Sequence, residues 1–380
     1  MDMILPDSTI GIIGGGQLGR MMAIAAKEMG YKVAVLDPKE NSPTGQIADF
    51  EIVAPYHDME AARQLANISD VITYEFENID YRVLLWLEQN ANLPQGSSLI
   101  EVTQDRANEK RAIEQSGGKP VYYHLVNSET DVKQAVEKMG IPAVLKTRTG
   151  GYDGKGQIMI HTEADLKKAV TLLQKGPCIL EQFIPFEKEL SVIVHRNRDG
   201  ELKTFPVGEN THKEHILIQT IVPAQIDANT RELAGTTAKN LAESLDMVGT
   251  LGVEMFLTSD AKIYINELAP RPHNSGHYTL NACETTQFQQ HIRAICNWPL
   301  GSTAIRTPVV MMNILGEHLA KTLTAIPQMN GCHVHLYGKG EAKRKRKMGH
   351  INFIGKDHGT ILENISAMQI WQEMKQGATL

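Results

Sequence analysis

The chain has 380 residues, room for two to four domains at ~100–200 residues each, with 42% hydrophobic and 22% charged residues, a globular balance that excludes disorder. Lysine plus arginine number 38 against 44 aspartates and glutamates, a formal charge of −6 that argues against a nucleic-acid partner. The four cysteines, Cys178, Cys283, Cys296 and Cys332, are scattered, the first residues carry no signal-peptide pattern, and no apolar run nears the ~20 residues that span a bilayer, so a cytoplasmic chain with no membrane contact is expected.

The first hundred residues alternate strand and helix. A short apolar strand over 9–13 enters the turn Gly14-Gly15-Gly16-Gln17-Leu18-Gly19. A helix over 17–29 ends at Gly30, a second strand over 32–36 ends at Asp37, and strands follow at 50–53 and 71–74. That rhythm implies a parallel sheet with helices on both faces. From Thr103, a candidate N-cap, the pattern turns to α+β: a charged helix over 106–115 stopped by Gly117-Gly118, a helix near 130–139, and a strand over 143–148. After a glycine-rich loop come a strand over 157–161, a helix over 163–174 with Thr162 and Asp165 spaced as a capping box, and a strand over 178–184. Two strands flank the Asp199-Gly200 turn, a long helix covers 230–245, and a hairpin joins 250–257 to 262–268. The last eighty residues form a smaller mixed module, giving domains over 1–102, 103–300 (halves 103–180 and 181–300) and 301–380.

Gly14 to Gly19 fits GxGxxG, where small residues admit a phosphate and the helix N-terminus favours an anion; Asp37 stands where a dinucleotide fold holds the ribose. A tight turn needed only for packing has the same pattern. The stretch from Lys146 to Gln157 says more. A lysine late in an apolar strand feeds a loop with four glycines in seven residues, able to fold backbone N–H groups and a cation over a polyphosphate. If Asp260-Ala261 is a two-residue turn, paired positions sum to 521 and Glu254 stands opposite Glu267. A hard cation such as Mg²⁺ would resolve the repulsion. In a regular strand Asn266 points to the opposite face. Glu181-Gln182, with Glu189 eight residues on, ends an apolar strand and suits either nucleotide recognition or ordinary strand-end charge. His212 reads as a loop histidine, and the donors of Arg271 to His277 favour anion recognition.

Together these motifs resemble the ATP-grasp superfamily, and within it the 5-(carboxyamino)imidazole ribonucleotide synthase family. The blocks at 14–22, 148–157, 181–191, 252–256 and 265–277 carry the resemblance in order. It implies a Rossmann-like pre-ATP-grasp domain, a two-part ATP-grasp fold and a small C-terminal module, an α/β and α+β architecture. It implies a C–N-forming ligase of purine biosynthesis that carboxylates 5-aminoimidazole ribonucleotide with bicarbonate and ATP by way of carboxyphosphate, needs Mg²⁺, and works as a homodimer. A labile carboxyphosphate must be kept from water, a task for the loop over 149–156.

Carried over by position, Arg106, Lys146, the loop Tyr152, Asp153, Gly154, Lys155, Gly156 and Gln157, and Glu181, Gln182, Phe183, Ile184, Glu189 and His212 match ATP-site positions, with Asn266 and Glu267. Glu254 and Glu267 match the Mg²⁺ ligands, and Arg271 a bicarbonate or carboxyphosphate clamp. Tyr152, Gln17, Leu18, His273, Asn274 and Ser275 match ribotide contacts, Lys339 and Arg346 the ribotide phosphate site, and Arg271, Asp153, Lys155 and Lys339 the catalytic set. One stretch departs. Where the family has Arg-Pro-Gly-Arg-Lys-Met-Gly-His, this chain has Lys343-Arg344-Lys345-Arg346-Lys347-Met348-Gly349-His350, two charges in place of Pro-Gly. Other readings are a sister ATP-grasp ligase such as the formate-dependent glycinamide ribotide transformylase, a nicotinamide-dependent dehydrogenase, and a nucleotide sensor without turnover.

Overall fold

The computed structural model describes residues 2–151 and 155–371. Strands β1 (Thr9–Ile13), β2 (Lys32–Asp37), β3 (Phe50–Val53) and β4 (Val71–Tyr74) form a parallel sheet in the order β3-β2-β1-β4. Their alternation with helices forces parallel pairing, and it brings Gly14, Asp37 and Glu75 together at the carboxyl ends of three strands.

A second, antiparallel sheet has the order β5-β8-β6-β7, with β5 Tyr123–Val126, β6 Ala143–Thr147, β7 Gln157–Ile160 and β8 Cys178–Gln182. The Thr162–Asp165 capping box is present. The helix it starts runs over Glu163–Ala169 and tightens to 3₁₀ over Val170–Lys175. Thr103 is not an N-cap. It lies inside the helix Ser98–Gln104, its hydroxyl bonded back to the Leu99 carbonyl, and Asp105 caps the next helix, Arg106–Gln115, by accepting from the Ala107 amide.

The largest sheet contains β9 (Phe186–Arg196), β10 (Leu202–Thr204), β11 (Gly208–Lys213), β12 (Ile216–Val222), β13 (Gly249–Thr258), β14 (Ile263–Ala269), β15 (Val309–Leu315), β16 (Cys332–Leu336) and β17 (Lys347–Ile354). Its order is β14-β13-β9-β11-β12-β15-β17-β16, with β10 beside β9. The pairing of β12 with β15 makes the C-terminal strands an extension of this sheet. Helix Gln287–Ile295 buries Phe288, Ile292 and Ile295 against Met22, Ala26 and Ile10 of the first domain. At ~1.5–3 kcal/mol for each large buried side chain, that contact is a weld between domains rather than a hinge.

A hydrogen-bonded polar chain threads the same contact. Gln95 Nε2 donates to the Pro270 carbonyl (3.1 Å), and the Thr73 hydroxyl donates to Gln95 Oε1. Thr73 also meets His291 Nε2 (2.8 Å), His291 Nδ1 meets Thr250 (3.1 Å), and Thr250 meets His195 Nδ1 (2.9 Å). All five side chains are buried.

Candidate active site

Lys146, late in β6, follows an apolar run and ends beneath the sheet, where its Nζ lies 2.6 Å from Glu181 Oε2. Lys110, fully buried on helix Arg106–Gln115, lies 3.3 Å from the other Glu181 oxygen. Burial pushes the Glu181 carboxyl up, but Lys110, Lys146 and Arg106 outweigh it and hold it at about 2. Two ammoniums share this one carboxylate, which leaves the site with positive charge for an anion. Burial draws Lys146 down, the response of a cation that still lacks part of its counter-charge.

The glycine-rich loop is pinned at both ends. Arg148 pairs with Asp105 through two N–H···O contacts (3.1 and 2.6 Å), and the Thr147 amide donates to the Gly156 carbonyl (2.8 Å). Gly156 has φ +77°, and a Cβ there would lie 2.7 Å from Thr147 Oγ1, so only glycine closes the loop. Lys155 and Gln157 leave it towards β7, and Gln157 Nε2 reaches His215 Nδ1 (3.3 Å). Tyr152, Asp153 and Gly154 lie outside the described residues.

Glu254 and Glu267 pair directly across β13 and β14. The route differs from a plain two-residue hairpin. The turn holds three residues, 259–261, with Ala261 at φ +59°, and a bulge at Asn266 takes up the extra residue. Side chains flanking a bulge no longer alternate cleanly, so the strict opposition of Asn266 and Glu267 that a regular strand would impose is lifted. Burial, with Glu267 opposite, raises Glu254 to about 7. Glu109 is likewise raised to about 7 by burial and by Glu267, and it accepts from the Leu268 amide (2.7 Å). Two oxygen-rich groups facing one another with one carboxyl pushed up are a fitting seat for a hard divalent cation.

His212 is not a loop residue. It stands on β11, and its Nδ1 lies 2.6 Å from Glu189 Oε2. Burial pulls the imidazole down, but Glu189 outweighs burial and raises it. Gln182 is exposed at the end of β8, with Phe183 and Ile184 in the crossing to β9.

Beyond β14 the chain turns under the first domain. Arg271 Nη2 lies 2.7 Å from Glu77 Oε1 and also feels Glu267 and Glu75. His273 Nε2 lies 3.3 Å from Glu254 Oε1, and its Nδ1 lies 2.8 Å from Ser275 Oγ. Asn274 is 8% exposed, and neither its Nδ2 nor its Oδ1 has a protein partner. A buried amide with four unused hydrogen-bonding positions is poised for a polar ligand. Lys339 sits over the Tyr337 ring (5.7 Å) and acts on Glu75 through space. Arg346 donates to the Glu341 carbonyl (2.8 Å) of its own loop.

Comparisons with known proteins coincide with these regions. A ribonucleotide synthetase preATP-grasp domain family matches residues 7–104, the ATP-grasp domain family residues 111–288, and a phosphoribosylaminoimidazole carboxylase C-terminal domain family residues 309–364. An N5-carboxyaminoimidazole ribonucleotide synthase of Bacillus subtilis (strain 168) is 53% identical over 365 residues, 96% of each chain. The chain belongs to the N5-carboxyaminoimidazole ribonucleotide synthase family. A solved ADP complex of one such synthetase is 57% identical, with TM-score 0.97 over 99% of this chain and 100% of that one. A synthase from Aspergillus clavatus, solved with ADP and 5-aminoimidazole ribonucleotide, is 31% identical, with TM-score 0.91 over 97% and 99%.

As a member of the N5-carboxyaminoimidazole ribonucleotide synthase family, the chain uses its glycine turn in a way GxGxxG does not announce. Gly15 donates to Asp37 Oδ2 (2.7 Å), and Gly16 and Gly19 (2.6 Å) donate to Glu75. The amides a pyrophosphate would use are already taken by the protein's own carboxylates, and Asp37 is bound to Tyr56 as well (2.6 Å). Leu18 buries its side chain in the core, so a ligand meets only its backbone; Gln17 is half-buried. Glu75, Glu77, Glu109 and Lys110 escaped sequence analysis. Glu75 had one usable signal, an acidic residue just past the carboxyl end of a parallel strand.

Proposed function

We propose that the chain carboxylates 5-aminoimidazole ribonucleotide with bicarbonate, giving N5-carboxyaminoimidazole ribonucleotide, ADP and phosphate. The observation that carries this reading is the position of Arg271, just past the β14 strand that holds Glu267 and paired with Glu77 of the first domain (2.7 Å), between the nucleotide side and the glycine-turn domain. A group there serves an anion that must react first with ATP and then with the ribotide. The relatives solved with ADP and with 5-aminoimidazole ribonucleotide support the same pair of ligands.

In this reading Lys146 and the 149–156 loop hold the β- and γ-phosphates, while Glu181, Glu189 and His212 hold the nucleoside. Glu254 and Glu267, with Asn266, would hold Mg²⁺, which when bound neutralises phosphate charge. A bicarbonate oxygen held by Arg271 attacks the γ-phosphorus, the bond to ADP breaks, and carboxyphosphate forms. The ribotide's exocyclic amine takes the carboxyl carbon, phosphate leaves, and the amine loses a proton. His273, Asn274 and Ser275 with the glycine turn orient the ribotide, Lys339 and Arg346 hold its phosphate, and Tyr152, Asp153 and Lys155 match positions near the amine. The four free thiols suit a reducing, cytoplasmic setting, and a homodimer is the assembly implied by the resemblance.

The test is ADP release measured with each substrate omitted in turn. ADP formation that requires both bicarbonate and the ribotide is expected. Turnover supported equally by formate would instead identify a sister ligase.

A further inference from the structure

Strand β14 is an edge of the largest sheet, so its outward backbone groups have no neighbouring strand. The bulge at Asn266 removes further ladder bonds. Upstream, the edge is closed by backbone: the Ile265 amide donates to the Lys119 carbonyl (2.8 Å). At the bulge it is closed by side chains of helix Arg106–Gln115 instead. Lys110 Nζ donates to the Asn266 carbonyl (3.0 Å), Glu109 Oε1 accepts from the Leu268 amide (2.7 Å), and Arg106 Nη1 lies 3.8 Å from Glu267 Oε2. Positions 106, 109 and 110 share one helix face, and they meet three successive strand residues.

Glu109 and Lys110 are 1% and 0% exposed. Burying two ionisable groups merely to cap a carbonyl and an amide is costly, since neutral side chains could do so. Lys110 adds a second contact, to Glu181 Oε1 (3.3 Å), which ties the bulge to the nucleotide side of the site.

We propose that Glu109 and Lys110 are positioning residues that fix the Asn266 bulge, so that Asn266 and Glu267 face Glu254 in register for the nucleotide-bound cation. The inference rests on Glu254 and Glu267 being the cation ligands. Lys110→Met, Glu109→Leu and Glu109→Gln are compared with wild type. Mn²⁺ binding in the presence of ADP is followed by the electron paramagnetic resonance of free Mn²⁺, together with the Mg²⁺ requirement of turnover, ribotide KM and thermal midpoint. Lys110→Met and Glu109→Leu are expected to weaken cation binding by ~10-fold or more, as loss of groups that orient metal ligands does, with ribotide KM unchanged. Glu109→Gln keeps an oxygen for the Leu268 amide and should restore most of the affinity. If Lys110→Met does not fold, Lys110→Arg, which displaces the donor but keeps the charge, should show a smaller loss of the same kind. Unchanged Mn²⁺ affinity in Lys110→Met and Glu109→Leu would overturn the proposal. So would a parallel fall of cation affinity and thermal midpoint with a rise of ribotide KM, the signature of a merely structural role. Intact Mn²⁺ binding in Glu267→Gln would overturn the ligand assignment itself, whatever the Lys110 variants show.

Discussion

At the scale of single residues, a charge acquires its meaning from what covers it. Lys146 was legible because an ammonium after Ala143-Val144-Leu145 cannot stay unpartnered. Lys110 and Glu109 were not, because in a charged helix they look like any solvated pair, and only the edge of β14 packed on that face buries them. Glu181→Gln leaves Lys110 and Lys146 without their shared anion. Removing one partner of a buried ion pair costs ~3–5 kcal/mol, so urea unfolding should show a loss of that size; a loss below ~1 kcal/mol would mean the ammoniums find other partners. The glycine turn makes a second prediction. With Gly15, Gly16 and Gly19 occupied by Asp37 and Glu75, a pyrophosphate would face two carboxylates. Titration calorimetry should give no saturable binding of NAD or NADP, and micromolar binding would revive the dehydrogenase.

At the scale of elements, the hairpin shows a correct pairing reached by an incorrect path. A two-residue turn and a regular ladder place Glu254 opposite Glu267; a three-residue turn followed by a one-residue bulge does the same, because the two irregularities cancel. Neither was visible, since Ala261 is not a turn-forming residue and Asn266 lies in an otherwise ordinary strand. The basic run over 343–347 shows how a local departure is absorbed. Arg344 and Lys345, which stand where the resemblance leads one to expect Pro-Gly, both pair with Glu214 on the β11–β12 turn, and the Lys345 amide donates to Glu317 (2.7 Å). Lys345 has φ +65°, the left-handed backbone that glycine would adopt freely, and these contacts hold it there. The loop therefore keeps a tight turn by ion pairing instead of by composition. Arg346→Ala should raise ribotide KM by ~10-fold or more through loss of a forked phosphate contact. Lys345→Ala, losing an exposed pair worth at most ~1 kcal/mol, should raise it by no more than ~5-fold. Steady-state kinetics on both, with ATP KM as the control, decides; equal damage would place the phosphate contact at the wrong position in the loop.

At the scale of the whole molecule, the three regions were legible as changes of rhythm along the chain, but the bonds between them were not, since no local pattern marks a hydroxyl that meets a histidine 218 residues away. In the chain from Pro270 to His195, the Pro270 carbonyl can only accept, which turns the Gln95 oxygen to Thr73. His291 must then donate from Nε2, and His195 from Nδ1, leaving His195 Nε2 bare in the core. Burial holds His195, His277 and His350 far below the ordinary imidazole range, His291 at about 3 and His335 at about 4. Their folded pKa values lie below the unfolded ~6.5, so their contribution is complete above that pH and is lost as pH falls. Each withdraws up to ~1.4 kcal/mol per pH unit below ~6.5. Glu109 and Glu254, raised to about 7, oppose this, as do His212 and Glu75, which are also raised, but the lowered histidines, His273 among them, outnumber these groups. Urea midpoints should therefore hold between pH 7.5 and ~6.5 and fall from there to pH 5, and a profile flat down to pH 5 would refute the neutral histidines.

The pairing of β12 with β15 carries a consequence for solubility. β12 is seven consecutive buried residues, Ile216–Val222, and without β15 its backbone would lie open over Gln219–Val222, the residues that pair with β15. A long apolar edge is a template for strand addition from another chain. The C-terminal strands thus act as a stopper against self-polymerisation, apart from anything they contribute to the ribotide. A chain ended at residue 300 should retain much of its secondary structure yet grow into aggregates by light scattering, and a monodisperse truncated protein would show that some other segment can close the edge.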